Sequence, residues 1–537
     1  MTIFIIGVII SFSTFVIVGL IAGRTVKNTD DYYVNARNTK TLFLTATLFV
    51  SMLSVNGFTG DQGWVYSGNL TSLVLLNAIC AIGYVAGPLL FGRFLRRTRC
   101  RTMPEYFGMR FNDIRNRRIA GVVTITSITA YLIATYTGVS ILLEMLTGLP
   151  FWVCVIMVWA ASTGFTFYAG SRGVVITDLL MFLVFMGGSV FVGWFIIYAQ
   201  GGFSQLLPNL MANPYKPQDL LTFHGNIPGT GATNAFGAVM YSVTLGLVWM
   251  VVFAVSPWQA GRNLLAKNEH VILRAGAVCA ILTVVYLLFL NLASVSVINL
   301  NPHLSDPQTV LIWASMNAVP LLLGALLLSG IMAAGLSSDS TFLSVIGFSA
   351  TTDLVNKKFK DDKHLLSSSR LVMLCVGIIA LFLTLAGLAG VRIIAWFASE
   401  VIASSWLIPG VGSVLCKKLS STGARWGMTA GFISFMITRS LVGLGIEPFS
   451  SIFVNFLHPF FIGVLMSLIL AVIGSKLHPV TEAEKEFHAN MIIIPDSEVD
   501  AVEYKRTKSY GYVLIGAGIL TTIFLLFGWA LPFNGFI

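Results

Sequence analysis

Apolar residues in this chain form long, nearly unbroken runs that are separated by shorter polar stretches. A run of about 20 apolar residues is long enough to cross the hydrocarbon core of a membrane as a helix. Unbroken runs also exclude a transmembrane β-barrel, whose strands alternate apolar and polar positions. Fourteen runs meet this length, and the transmembrane helices that they predict are centred near residues 13, 50, 82, 132, 160, 186, 245, 284, 335, 378, 404, 435, 463 and 521.

The first run, residues 3–23, lacks the features of a secretory signal peptide. No basic segment precedes it and no small-residue cleavage site follows it, although a signal peptide needs both. We therefore predict that this run is retained as a membrane helix.

The composition is typical of a polytopic membrane protein. The 537 residues are 56% apolar and only 10% charged, and the mean hydropathy is +0.83; these values exclude a soluble multidomain protein. We expect a multi-pass protein of the plasma membrane, or of the inner membrane if the source is a Gram-negative bacterium. We expect it to be a monomer or a weak oligomer.

The net charge of +10 could indicate a nucleic-acid partner, but the distribution of basic residues indicates membrane topology instead. Of the 33 lysines and arginines, 30 lie in alternate loops on one side, Lys216 and Arg392 lie on the other, and Arg439 lies within a predicted span. By the positive-inside rule the richer side is cytoplasmic. Both termini are then outside, which requires an even number of spans and agrees with fourteen. The expected partners are the lipid bilayer and a small solute.

The remaining chemistry does not indicate an enzyme. The six cysteines show no paired spacing, so we predict neither disulfides nor a metal cluster. No catalytic triad and no phosphate-binding loop stands out in the sequence.

A cluster of hydroxyl groups interrupts the ninth predicted span. Ala334, Ser337, Ser338 and Thr341 fall at helical positions i, i+3, i+4 and i+7, and so form one stripe of oxygen atoms. Such a stripe suits a small, hard, partly dehydrated cation, and sodium is the leading candidate. In the alternative, the serine hydroxyls bond the carbonyls of their own helix.

Residues 51–63 interrupt the second predicted span with Gly57, Gly60, Gly63 and several polar side chains. Such a stretch is typical of a broken helix whose freed carbonyls face a cavity. A second candidate break is residues 241–259. The two breaks predict two inverted five-helix repeats, as in secondary transporters.

The predicted organisation is one transporter domain over residues 1–537. Within it, the first repeat covers about 41–200 and the second about 234–416, while residues 1–23 and 425–537 supply extra helices.

Four motifs together resemble those of the sodium/solute symporter family, which includes sodium–glucose and sodium–proline cotransporters. They are residues 54–60 with Gly63 and Tyr66, residues 102–106 with Arg110 and Phe111, residues 173–178, and residues 333–338. The resemblance implies an all-α, LeuT-type fold, alternating access between the two sides of the membrane, and sodium-driven uptake.

The resemblance also implies a main sodium site. The ligands at the matching positions are the backbone carbonyls of Val50, Leu53 and Ala334 and the hydroxyls of Ser337 and Ser338. Five neutral oxygens bind a monovalent ion weakly enough for it to be released, which transport requires.

Asp178 lies inside a predicted span, where an unpaired carboxylate costs a few kcal/mol. In some family members a carboxylate at this position forms a second sodium site with hydroxyls that match Ser340 and Thr341. Two sodium ions per solute would follow. The alternative is an ion pair with a cytoplasmic-side arginine such as Arg172.

Asp339 departs from the family pattern, which usually has an apolar residue there. At 100° per residue it points roughly opposite the middle of the hydroxyl stripe. We therefore expect it to pair with a basic group or to line the solute cavity, rather than to bind the same ion.

The residues that bind the solute are less well defined by the sequence. The third span offers only Asn77 as a comparably polar side chain, which argues against a hexose, and a tryptophan-lined cavity could bind a quaternary amine through cation–π contact. The candidates for solute contact are Asn56, Trp64, Trp249, Gln259 and Glu400.

The sequence thus favours a sodium-coupled symporter that imports a small polar organic solute, with Na⁺ as its only cofactor. One alternative is a sensory protein with a transporter-like domain, for which an output module after the spans would be expected, whereas this chain ends at Ile537 shortly after its last span. Another alternative is proton-driven uptake with Asp178 and Asp339 as the titrating groups.

Overall fold

The structure is a computed structural model, and it describes residues 2–23, 34–215, 223, 234–354, 362–455, 457–494 and 501–533. Most of these residues are helical. Ten of the described helices are long and apolar enough to cross a membrane, and three shorter apolar helices accompany them. An all-helical, multi-pass fold is therefore confirmed, whereas the count of fourteen spans and the outside location of both termini remain predictions.

The helices of the first half, numbered in chain order, are α1 (Thr2–Gly23), α2 (Thr41–Leu53), α3 (Gly60–Tyr66), α4 (Leu70–Gly87), α5 (Met103–Arg110), α6 (Ile114–Thr147), α7 (Phe151–Tyr198) and α8 (Phe203–Ala212). Those of the second half are α9 (Ala235–Val255), α10 (Glu269–Ser296), α11 (Val310–Asn317), α12 (Leu321–Phe348), α13 (Asp362–Leu385), α14 (Val391–Leu415), α15 (Ser421–Gly443), α16 (Phe449–Asn455), α17 (Pro459–Leu477), α18 (Glu482–Ile492) and α19 (Ala501–Leu525).

The 48-residue range of α7 contains two arms rather than one straight rod. A methyl group placed on Gly19 of α1 would lie 2.9 Å from the Phe165 ring and 3.3 Å from the methyl of Thr177. Twelve residues of straight helix would separate those two side chains by about 18 Å. The helix axis therefore bends between them, and the two separate spans centred near residues 160 and 186 remain a prediction.

The predicted break in the second span is present between α2 and α3. Ser54 has a φ of 52°, a left-handed value that ends a helix of L-residues, and α3 begins only at Gly60. Its backbone polar groups would be costly in lipid, but residues 54–60 are buried within the protein.

The second break is shorter than the sequence predicts. α9 continues without interruption through Thr244 and Gly246 to Val255. The helix is lost only over residues 256–259, where Pro257 has no amide hydrogen to donate, and a short 3₁₀ helix, Ala260–Leu265, follows. The division into two inverted repeats remains a prediction.

Small residues allow the helices around the breaks to pack closely. α4 packs along α9 and α10, and a methyl group on Gly83 of α4 would lie 2.7 Å from the backbone Cα of Met250. A larger side chain at Gly83 would separate these helices, as at other small-residue contacts in membranes.

The two ends of the broken helix differ in their surroundings. On the side predicted to be outside, Tyr66 donates a hydrogen bond to the Asn301 carbonyl at 2.6 Å, and Gly63 lies directly against Pro307. A loop therefore covers α3. On the opposite side, a cavity of about 730 Å³ is lined by residues of three segments, 101–104, 257–265 and 341–349.

The polar segment before the last helix is folded against the side predicted to be cytoplasmic. α18 begins with a capping box formed by Thr481 and Glu484. Its residue His488 contacts the Val414 carbonyl at 2.8 Å, and Arg97 donates to the Ile492 carbonyl at 2.5 Å. These contacts attach α18 to the C-terminal end of α14 and to a short helix, Arg93–Arg97, that follows α4.

The charge asymmetry predicts which exposed residues face the outside. Ser305 is exposed, and the Arg115 side chain is 66% exposed. In a background in which the exposed Cys375 and Cys416 are serine, Ser305→Cys should react with a membrane-impermeant maleimide on intact cells. Arg115→Cys should react only after permeabilisation, and the reverse pattern would show that the predicted topology is inverted.

Candidate functional site

The break between α2 and α3 lies next to α12, the helix that carries the hydroxyl stripe. Val55, in the break, is 3.7 Å from the position of a methyl group on Gly335 of α12. The fold therefore brings the interrupted backbone and the stripe together, although more than 270 residues separate them in sequence.

The three predicted carbonyl ligands each already accept one hydrogen bond. Val50 and Leu53 accept from the amides of Ser54 and Gly57 at 2.9 and 2.8 Å, and Ala334 accepts from the Ser338 hydroxyl at 3.0 Å. A carbonyl oxygen has two lone pairs, so Val50 and Leu53 each retain one for an ion. Ala334 lies inside α12 and also accepts the helical bond from the Ser338 amide, so its second lone pair becomes available only when the Ser338 hydroxyl turns away. Ser338 thus bonds its own helix here, as in the alternative raised from the sequence.

Ser337 behaves differently from Ser338. Its hydroxyl donates to the carboxylate of Asp178 at 2.5 Å, rather than to a carbonyl of its own helix. Asp178 is completely buried and also accepts a hydrogen bond from Thr47 of α2. The Asp178 carboxylate therefore joins three helices, α2, α7 and α12.

The positive partner of Asp178 in the described part of the chain is Arg262. A terminal nitrogen of its guanidinium lies 3.7 Å from the carboxylate and donates to the Thr341 hydroxyl at 2.5 Å. Arg262 therefore stands between Asp178 and Thr341. Ser340 is oriented elsewhere and donates to the Ser337 carbonyl at 2.9 Å. The side chain of Arg172, named above as a possible partner, lies outside the described residues.

Arg262 and Thr341 also line the 730 Å³ cavity on the side predicted to be cytoplasmic. The Asp178 group is therefore one side chain away from this cavity. Sequence reasoning missed Thr47 and Arg262. Arg262 was counted only as a topology charge, and Thr47 lies about two turns before the break on the same helix as Val50.

Asp339 is on a different face of α12, as its angular position predicts. It accepts a hydrogen bond from Thr135 of α6, and its second oxygen has no hydrogen-bond partner. Among the described residues no basic side chain forms an ion pair with it, and it does not line the cavity described next.

A cavity of about 410 Å³ lies at the break, among α4, α9, α10 and α14. Of the five predicted solute residues, Asn56 and Trp249 line it. The full lining is Met52, Leu53, Asn56, Gly57, Asp61, Leu76, Asn77, Cys80, Trp249, Phe253, Leu287 and Trp396. We refer to it as the central cavity.

Trp64, a third predicted residue, lies just behind the wall of the central cavity. Its ring is 5.6 Å from that of Trp396 and perpendicular to it. The guanidinium carbon of Arg392 lies 3.3 Å from the centroids of both rings. Arg392 also faces Asp61, with 3.6 Å between its Nε and the carboxylate.

The structure places the other two predicted solute residues away from the central cavity. Gln259 is buried, where Tyr84 donates to its side-chain oxygen and its nitrogen donates to the Leu48 carbonyl, both at 3.3 Å. Glu400 lines a separate cavity with Arg439 and His458, and 3.6 Å separates its carboxylate from the imidazole of His458.

The comparison with known proteins identifies the class. The profile of the sodium:solute symporter family matches residues 32–431, and the chain therefore belongs to this family. It is 23% identical to the sodium/proline symporter of Escherichia coli over 457 residues, which are 80% of this chain and 86% of the relative. It is also 23% identical to the sodium/pantothenate symporter of Haemophilus influenzae, over 83% of this chain and 90% of the relative.

Solved structures show the same fold. A Na⁺-coupled sialic acid symporter in a substrate-bound, outward-open state has a TM-score of 0.72 and 18% identity, and the match covers 89% of this chain and 99% of that one. The transporter Mhp1, in an inward-facing conformation, has a TM-score of 0.53 and 14% identity, over 86% and 96% of the two chains. These are LeuT-fold transporters.

The resemblance drawn from the motifs is thus confirmed, and so is the class that it implies. The protein is a sodium-coupled symporter, a multi-pass membrane transporter and not an enzyme. The individual ligands of sodium and of the solute remain predictions.

Proposed function

We propose that this symporter imports its small organic solute by exposing the central cavity alternately to the two sides of the membrane, with sodium bound beside the break. The observation that supports this most directly is the contact between the break and Gly335 of α12, the helix that carries the hydroxyl stripe. Broken helices that face a cavity supply both solute and ion ligands in secondary transporters. The named relatives carry different solutes, so the family does not by itself identify the solute of this chain.

We propose that the main sodium ion is bound by the carbonyls of Val50, Leu53 and Ala334 and by the hydroxyls of Ser337 and Ser338. Support comes from the free lone pairs on the Val50 and Leu53 carbonyls and from the proximity of the break to Gly335. Ser338 would rotate away from the Ala334 carbonyl, and Ser337 would share its oxygen between the ion and the hydrogen bond to Asp178.

We also propose a second cation site at Asp178, together with Ser340 and Thr341. A buried carboxylate needs a positive partner, and Arg262 supplies it in this structure. A sodium ion near Asp178 and Thr341 would replace the guanidinium of Arg262, which would move toward the adjoining cavity. Release of that ion to the cytoplasm would let Arg262 return, so the carboxylate would never be left unpaired.

The first variant tests the main site. Ser337→Ala removes one of five ligands, and losing one polar contact costs about 1 kcal/mol, so the sodium concentration for half-maximal uptake should rise roughly fivefold. The measurement is sodium-dependent uptake in proteoliposomes. Ser329→Ala, a buried serine on the same helix, is the matched control, and an unchanged sodium dependence for Ser337→Ala would exclude its role as a ligand.

Asp178→Asn tests the second site. If Asp178 binds an ion, the variant should move one sodium per solute and the wild-type protein should move two. Reversal potentials of solute flux at set sodium gradients measure this ratio. A ratio of one in both proteins would mean that Asp178 is only a structural ion-pair residue.

Arg262→Gln tests whether sodium can replace the guanidinium. The variant leaves the Asp178 carboxylate without a positive partner. A bound sodium ion should then be the main group that neutralises this charge, and its binding should stabilise the folded state. We expect the thermal stability of this variant to depend on sodium more steeply than that of the wild-type protein, with potassium as the reference ion. Equal destabilisation of the variant in sodium and in potassium would contradict the exchange.

A further inference from the structure

The charge that faces the central cavity is negative. Among the described residues that line it, Asp61 alone is charged, and a quarter of its side-chain surface is accessible. One carboxylate oxygen, Oδ1, has no hydrogen-bond partner, and neither has the side-chain oxygen of Asn56 nearby. Oδ1 is the carboxylate oxygen that faces Arg392, so the negative charge of Asp61 lies at the cavity wall without a hydrogen bond to its positive partner.

Arg392 neutralises Asp61 only in part. The distance of 3.6 Å between them is longer than a charge-assisted hydrogen bond, which is about 2.7–2.9 Å. The guanidinium lies against the rings of Trp64 and Trp396, and Arg392 is not among the residues that line the cavity. The Asp61 carboxylate thus lies at the cavity surface, whereas the Arg392 guanidinium lies outside the residues that line the cavity.

The rest of the wall suits a positively charged group. Trp249, Phe253 and Trp396 line the cavity, and the face of an aromatic ring attracts a cation, most strongly in tryptophan. The other lining side chains include Met52, Leu53, Leu76 and Leu287, which suit a small aliphatic body.

We infer that the central cavity binds a solute through a positively charged ammonium group, which lies between the aromatic walls and the carboxylate of Asp61. This inference rests on the proposed function and specifies the class of its solute. The solute is either a zwitterion with an ammonium group, such as an amino acid or a betaine, or a simple organic cation. A carboxylate without an amine would be repelled by Asp61, and a neutral sugar would leave the charge unmatched.

The binding test uses thermal shifts of the full-length protein in detergent, in sodium and in potassium. The probes are L-alanine and glycine betaine as zwitterions, choline as a simple cation, acetate as an anion and glucose as a neutral sugar. Stabilisation in sodium by zwitterions or by choline, but not by acetate or glucose, is the expected result. Comparing the zwitterions with choline shows whether the ammonium group belongs to a zwitterion or to a simple organic cation.

Two substitutions test which charge recognises the solute. Asp61→Asn should weaken binding of the stabilising probe by at least about 30-fold, since removing one partner of a buried charge pair has effects of this size. Asp61→Glu should recover part of the loss. Arg392→Gln removes the internal counter-charge, so affinity for the ammonium probe should be kept or increased. Glu144→Gln, at an exposed carboxylate, is the matched control and should bind as the wild-type protein does.

The outcomes separate this inference from the proposed function. The ammonium site would be overturned if only acetate or glucose bound in sodium. It would also be overturned if Arg392→Gln lost binding while Asp61→Asn bound the probe normally. Neither result would contradict sodium-coupled transport. If the ammonium probe bound equally well in sodium and in potassium, the proposed sodium sites would be contradicted, whereas the ammonium site would still be supported. If no probe bound in either salt, both would be overturned.

Discussion

The constraint on which this structure depends is the cost of unsatisfied backbone groups inside a membrane. Between Leu53 and Gly60 the chain is not a regular helix, and each free carbonyl or amide would cost several kcal/mol against lipid. The break is tolerated because α12 and the helices around the central cavity enclose it. The same helices also form a polar pocket in the middle of an apolar protein. The packing that makes the break tolerable therefore also forms the proposed binding site.

Three carboxylates in this low-dielectric interior, two of them fully buried and Asp61 partly accessible, are stabilised in three different ways. Asp178 has two hydroxyl donors and the guanidinium of Arg262. Asp61 has a more distant and ring-covered partner, Arg392. Asp339 has a single hydroxyl donor, Thr135. The negative charge is therefore neutralised most fully at Asp178, less fully at Asp61 and least at Asp339. A carboxylate that is compensated from behind can still attract a cation in front, which is why the first two are the better candidates for ligand binding.

The two ends of the broken helix have different access. A loop held by Tyr66 and Pro307 covers α3, whereas the cavity near Arg262 and Thr341 adjoins the side predicted to be cytoplasmic. The Asp178 group borders that inner cavity, and the Asp61 group lies next to the covered end. An ion at Asp178 therefore has a shorter route inward than a solute beside Asp61.

Hydropathy and helical periodicity are local properties, so the sequence by itself determined the apolar helices, the break after Leu53 and the shared face of Ser337, Ser338 and Thr341. The family motifs are local as well, and they identified the class of protein. Pairing between distant segments is not local. Arg262 and Arg392 both carry charges that read as topology signals in the sequence, and only tertiary packing brought them to Asp178 and Asp61, since nothing in a single sequence states which buried charge will neutralise which.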